Sequence, residues 1–154
     1  MENIEILTRS AKETKKLGEK LAHEIDRSPT SIKRGAIIIS LEGELGSGKT
    51  TFTQGFAKGL GIKENPRSPT FVIMRIYSVR RKAYGVRQFI HIDAYRLKSK
   101  GFKVLNWRDF IRDPKNIILV EWGDKIKNIL PKNAMRIIFK HIRHHEHRLI
   151  KIII

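Results

Sequence analysis

The chain has 154 residues, and its 32 lysines and arginines against 15 aspartates and glutamates leave a formal charge of +17. With 40% hydrophobic and 31% charged residues it has the composition of one globular domain, able to bury about 70% of the surface its unfolded form exposes, which excludes a disordered chain and a mini-protein. No cysteine is present, so disulfides, zinc ribbons, iron–sulfur clusters and thiol nucleophiles are excluded and a reducing, cytoplasmic setting is the expectation.

The excess of positive charge suits a polyanionic partner such as nucleic acid or an acidic membrane surface, although a composition rich in Ile and Lys gives the same balance without either. The polar, acidic start at Met1–Glu5 and the shortness of every apolar run predict neither a signal peptide nor a membrane-spanning helix.

Along the chain, Ile4–Leu7 reads as a short strand. Ser10-Ala11-Lys12-Glu13 has the S-x-x-E form of a capping box, and Ala11, Leu17, Leu21 and Ile25 follow at helical spacing, so a first helix is expected from about Ser10 to Ile25, ended by Ser28-Pro29. Gly35 opens Ala36–Leu41, a β-branched run with the look of a strand buried on both faces, which implies a parallel sheet covered by helices. A glycine-rich loop follows, then a helix from Lys49 to Leu60 with Phe52, Phe56 and Leu60 on one face and Gly61 ending it.

Phe71–Val79 and Arg87–Asp93, joined through the basic turn Arg80-Arg81-Lys82, read as a β-hairpin or two neighbouring strands. Leu97–Ile111 carries no clear period. After the break at Asp113-Pro114, Asn116–Val120 is a second fully apolar strand that ends in Glu121. Asp124–Leu130 is expected as a short helix stopped by Pro131. Met135–Ile142 and Leu149–Ile154 flank a His-rich turn and read as a closing antiparallel hairpin, about 134–154.

Gly43-Glu44-Leu45-Gly46-Ser47-Gly48-Lys49-Thr50 matches the Walker A pattern G-x-x-x-x-G-K-[ST] in the context that pattern requires, a buried strand before and an amphipathic helix after. Glycines let successive backbone N–H groups turn toward one anion and the helix N-terminus adds its positive end; the lysine reaches the β- and γ-phosphates and the Thr50 hydroxyl coordinates Mg²⁺. The nucleotide cradle is thus expected from Glu44, Leu45, Gly46, Ser47, Gly48, Lys49, Thr50 and Thr51. Hydrolysis further needs oxygen ligands for the metal and a group to orient water. Glu121 stands at the carboxyl end of an apolar strand, where an open α/β sheet presents residues to its ligand crevice. Asp93 ends Phe89–Asp93 in the same manner, although from position alone His91 and Asp93 fit the outer face of an edge strand equally well.

Gly-Glu-Leu-Gly-Ser-Gly-Lys-Thr-Thr-Phe (43–52), Ser-Pro-Thr-Phe (68–71), His-Ile-Asp-Ala-Tyr-Arg (91–96) and Val-Glu-Trp (120–122) occur in this order. Together they resemble the TsaE family, formerly YjeE, the bacterial ATPases of tRNA threonylcarbamoyladenosine biosynthesis, over roughly residues 8–131. The resemblance implies a single P-loop ATPase domain across 1–154, of α/β class, with a mostly parallel sheet core, flanking helices and antiparallel strands at the C-terminal end. It implies ATP and Mg²⁺ as ligands, with Thr50 and Glu121 at the metal and Thr70 in a switch-like loop near the γ-phosphate. By the same resemblance Asp93 assists the metal or the attacking water, and Trp122 lies close to the nucleotide. The implied partners are TsaB and TsaD, with tRNA met through their complex or by direct basic contacts, and no membrane.

Three features depart from the family pattern: Glu44 stands where Asp is common, Ala94 where a larger apolar residue is usual, and 98–112 is basic where the family tends to be acidic. Two other readings share the phosphate cradle. A small P-loop kinase acting on a metabolite would leave Ser68–Phe71 and Val120–Trp122 without a role, and an ATP-switched nucleic-acid-binding module rests on the charge alone. His141, His144, His145 and His147 cluster in the closing turn, and with Glu146 the only carboxylate among them the expectation is a solvated turn rather than a metal site.

Overall fold

A computed structural model describes residues 2–27, 35–67, 73–79, 88–97, 101–102 and 106–154. In chain order the elements are β1 (Asn3–Thr8), α1 (Ala11–Arg27), β2 (Ile37–Glu42), α2 (Lys49–Gly59), β3 (Met74–Ser78), β4 (Gln88–Asp93), α3 (Trp107–Arg112), β5 (Asn116–Glu121), β6 (Met135–His141) and β7 (Arg148–Ile153). They build one seven-stranded sheet of order β1-β7-β6-β2-β5-β4-β3. Its centre, β6, β2, β5 and β4, is parallel. Antiparallel strands close both sides, β3 beside β4 and the pair β7, β1 beside β6.

The uninterrupted apolar runs of β2 and β5 have the central places their composition demands, because a parallel strand covered on both faces must be apolar on both. Every residue of β5 is buried. Odd-numbered Ile39, Leu41, Phe89, Ile117 and Leu119 pack with Phe52 and Phe56 of α2 on one face. Even-numbered Ile38, Ile90, Ile92, Ile118 and Val120 pack with Phe102, Trp107 and Ile126 on the other. This alternation aims His91, Asp93 and Glu121 at α2 and the loop before it.

Helix α1 starts where its capping residues predict. Ser10 Oγ accepts the Glu13 N–H at 3.1 Å, and the Glu13 carboxylate takes the N–H of Arg9, one residue before the position a strict capping box uses, at 2.7 Å. Its buried stripe is Thr14, Gly18, Ala22, Ile25 and Asp26, whereas Leu17 and Leu21 are only partly buried against the core and Ala11 is exposed. The reason is a close crossing of two helix backbones: a Cβ on Gly55 would stand 1.8 Å from the Lys15 carbonyl oxygen, and one on Gly18 2.3 Å from that of Phe52. Glycine is the one residue that allows α1 and α2 to approach so closely, and α2 is thereby held against α1 as well as against the sheet.

The strands expected over Phe71–Val79 and Arg87–Asp93 appear as the antiparallel neighbours β3 and β4. The turn Arg80-Arg81-Lys82 lies outside the described residues, as do Ser28-Pro29 and Ser68–Phe71. In place of the helix expected over Asp124–Leu130 there is a single 3-10 turn, Gly123–Ile126. That segment packs closely against β2 and the core: Ile126 is wholly buried, and a Cβ on Gly123 would fall 2.0 Å from the Ser40 hydroxyl oxygen. The closing hairpin is present as β6 and β7, and Ile4–Leu7 becomes the edge strand β1, paired with β7 from Asn3↔Ile153 to Thr8↔Arg148. No helix among the described residues is long and apolar enough to cross a membrane.

Candidate active site

Strand β2 delivers the chain into the glycine loop at the carboxyl end of the sheet. The last residue of β2, Glu42, is tied down before the loop begins: Arg136 of β6 donates to both its carboxylate oxygens, at 2.8 and 2.7 Å, and the Ser40 hydroxyl donates at 3.2 Å. Burial by itself raises the Glu42 pKa, but the hydrogen bonds and charge of Arg136 outweigh it and the carboxyl titrates below its ordinary value of 4.5. A lowered carboxyl pKa adds stability that is present above the unfolded value and is lost as pH falls through the folded one. Glu42→Gln should therefore lower the melting temperature at pH 7 by a few degrees, with Arg136 at 39% exposure keeping the loss to about 1–2 kcal/mol. The gap between the two melting curves should narrow as the pH drops below 4.5; a gap that does not narrow with acid would refute the charge pairing.

In the loop, Gly43, Gly46 and Gly48 all have positive φ, at 144°, 73° and 101°, backbone conformations that side chains other than glycine rarely adopt. Gly48 precedes α2 with no side-chain cap, so the first N–H groups of the helix are left for an anion. Lys49 is buried. Its Nζ donates to the carbonyls of Gly43 at 2.6 Å and Glu44 at 2.8 Å and approaches Ser47 Oγ at 3.4 Å. Burial lowers its pKa, opposed by the charges of Glu121, Asp124 and Asp93. Trp122 covers it, with the ring centroid 3.8 Å from Nζ. Trp122 reaches that place because its backbone turns left-handed, φ 61°, directly after β5, a conformation that costs about 1–2 kcal/mol in a non-glycine residue.

Glu121 is 2% exposed and fully engaged. Thr50 Oγ1 donates to its Oε2 at 3.0 Å, Thr53 Oγ1 approaches Oε1 at 3.4 Å, and His91 Nε2 lies 2.8 Å from Oε1. His91 Nε2 therefore carries the proton that faces the carboxylate, while its Nδ1 is buried without a partner. Asp93 Oδ1 accepts the Tyr95 N–H at 2.8 Å. Lys49, Thr50, Thr51, Asp93, Glu121 and Trp122, with Leu45–Gly48 of the loop and Tyr95, line one cavity of about 360 Å³, within the usual range of about 300–1,000 Å³ for small-molecule sites.

A phosphate fits the N–H-rich loop, and the adjoining hydroxyl and carboxylate of Thr50 and Glu121 are the hard oxygen donors that Mg²⁺ prefers. Of the residues expected at the site, Glu44 does not line the cavity: its side chain is exposed and its carbonyl holds Lys49. Thr70 lies outside the described residues. His91 and Asp93 belong to an internal strand, since β4 lies between β5 and β3. Three contributors were not anticipated. His91 and Thr53 hold Glu121; the signal for His91 is strand alternation, which puts it on the face of Asp93, and for Thr53 the i, i+3 helical spacing from Thr50. Tyr95 packs on Trp122 at 4.9 Å between ring centroids. The histidines of the closing turn are exposed except for partly buried His147, with His144 and His147 stacked at 4.2 Å, and no cluster of three or more His, Asp or Glu side chains placed to share a metal occurs among the described residues.

Compared with known proteins, residues 8–150 match the family model of the threonylcarbamoyl adenosine biosynthesis protein TsaE. The chain belongs to the TsaE family. It is 39% identical over 103 residues to the tRNA threonylcarbamoyladenosine biosynthesis protein TsaE of Bacillus subtilis, a match covering 67% of this chain and 61% of that relative. The TsaE of Treponema pallidum is 30% identical over 132 residues, covering 85% of this chain and 87% of the relative. Among solved structures, Bacillus subtilis YdiB superposes with a TM-score of 0.73 at 30% identity, over 98% of this chain and 84% of that one. The α/β architecture with its strand, glycine loop and helix is thus the fold of a TsaE relative, as the four sequence motifs implied.

Proposed function

We propose that this chain is the Mg²⁺-dependent, ATP-binding and ATP-hydrolysing component of tRNA threonylcarbamoyladenosine biosynthesis, acting in the cytoplasm with a TsaB–TsaD complex to sustain its turnover. The observation that carries the reading is the meeting of Lys49, Thr50 and Glu121 in one cavity at the carboxyl ends of β2 and β5. Lys49 rests on neutral carbonyl oxygens, which anionic β- and γ-phosphate oxygens outcompete for an ammonium. The uncapped start of α2 binds the remaining phosphate oxygens. Thr50 and Glu121 would hold Mg²⁺, whose positive charge would offset the negative charge that develops during phosphoryl transfer. Asp93, beside Glu121 in the strand register, orients water or a metal-bound ligand. Trp122 and Tyr95 supply an aromatic wall against the nucleotide.

Leu45, 84% exposed, and Tyr95, 49% exposed, line the mouth of the cavity at the protein surface. Water exclusion strengthens every charge interaction in such a site, so a partner that covers this mouth completes it. The expected result is slow hydrolysis by the isolated chain and at least about tenfold faster turnover with TsaB and TsaD, read as steady-state phosphate release with and without tRNA. Fast turnover by the chain alone, or phosphate passed to a metabolite in place of water, would support the kinase reading instead. The +17 charge suits a complex assembled on tRNA; direct contact would show as tRNA binding by the isolated chain that weakens steeply with salt.

A further inference from the structure

The closing hairpin reaches the phosphate loop through one side chain. Arg148, the first residue of β7, donates from Nε to the Ser47 carbonyl and from Nη2 to the Gly46 carbonyl, both at 3.1 Å. Its Nη1 donates to the carbonyls of His147 at 2.8 Å and His145 at 2.5 Å within the hairpin turn. The guanidinium thus binds four backbone carbonyls, two from each of two loops more than 100 residues apart in sequence, at separations of 101 and 102. Its planar fork suits this bridging, since its donors point in fixed directions that a lysine ammonium does not reproduce.

We infer that Arg148 is a positioning residue for the phosphate site: it clamps the outer side of the glycine loop and so sets which way the loop's N–H groups face. The reasoning is peptide geometry. In a planar trans peptide the C=O of one residue and the N–H of the next point in opposite directions. Holding the Gly46 and Ser47 carbonyls toward the hairpin turns the N–H groups of Ser47 and Gly48 away from it. The Ser47 N–H closes a turn onto the Glu44 carbonyl at 3.2 Å, and Gly48 lines the cavity. Gly46 and Gly48 are also positions of positive φ, where glycine leaves the backbone least restrained and an external clamp has most to contribute. Lys49 holds the Gly43 and Glu44 carbonyls from within, so the loop is gripped from both sides.

This inference rests on the ATP reading of the loop, and the wild-type arm of its test reports on that reading separately. Titrate Mg–ATP by calorimetry into wild type, Arg148→Ala and Arg148→Lys, and record the melting of each protein without nucleotide. Arg148→Ala should bind at least about tenfold more weakly, the loss expected for hydrogen bonds made by a charged donor. Arg148→Lys, which keeps the charge but not the fork, should remain folded and still bind several-fold more weakly than wild type. Guanidinium ion at low millimolar concentration should restore part of the affinity of Arg148→Ala and leave wild type unchanged, a response a purely structural role does not give. Affinity within twofold of wild type in Arg148→Ala, full affinity in Arg148→Lys, or unfolding of both variants before binding can be read would each overturn the assignment. Failure of the wild type to bind ATP would remove the nucleotide reading itself.

Discussion

Lys49→Ala is expected to abolish detectable Mg–ATP binding, a loss of at least about 100-fold in affinity if two charge-assisted contacts of about 1.5–3 kcal/mol each disappear together. The ammonium is buried, its pKa is lowered by that burial, and the charges of Glu121, Asp124 and Asp93 oppose the lowering. Phosphate oxygens would add to the same side of this balance, so the cation binds them more strongly than an exposed lysine does. The variant also frees the Gly43 and Glu44 carbonyls and uncovers the ring of Trp122, which changes the loop but not the sheet beneath it. Calorimetry decides the matter: an affinity equal to that of wild type would place the nucleotide elsewhere.

Glu121→Gln should leave ATP binding within a few-fold of wild type and lower partner-stimulated hydrolysis by at least about 100-fold, because the lost charge serves the metal and the attacking water in the transition state more than it serves the bound substrate. The glutamine variant is the informative one. The carboxylate is enclosed by Thr50, Thr53 and His91, so alanine would strand buried donors and unfold the site, whereas glutamine keeps the volume and an acceptor oxygen. Single-turnover measurements separate the chemical step from binding. Unchanged turnover in the partner complex would remove Glu121 from the mechanism.

What could be read from the sequence divides along how local the determining contacts are. The loop and α2 were legible because the eight residues from Gly43 to Thr50 carry their own chemistry, and Glu121 because an apolar strand that stops at a carboxylate marks a crevice. His91 was ambiguous for a physical reason. Alternation along Phe89–Asp93 assigns His91 and Asp93 to one face, but whether that face is covered depends on the neighbours of β4, which are fixed by pairings with β5 and β3 far along the chain. The leucines of α1 misled in a similar way. A hydrophobic stripe indicates the buried face only where side chains make the contact, and here Gly18 and Gly55 bring the backbones together. Arg148 had no local signal at all, since nothing in a basic hairpin says which distant carbonyls it will meet.

The pairing of β1 with β7 has a consequence for how the molecule comes into being. The N–H and carbonyl of Glu2 exchange hydrogen bonds with those of Ile154, at 3.2 and 3.1 Å, so β1 finds its sheet neighbour among the described residues in a strand far later in the sequence. The same delay applies to the glycine loop, whose outer clamp at position 148 emerges about 100 residues after it. Contacts this distant in sequence form late and slowly, because loop closure must precede the contacts that reward it. A nascent chain still lacking β7 would thus carry an intact Walker sequence, an unpaired edge at Asn3–Thr8 and a phosphate loop without its clamp. On the ribosome, then, the clamped glycine loop is complete only once β7 has emerged, and a product that stops before it exposes an open sheet edge of the kind that recruits other chains into aggregates.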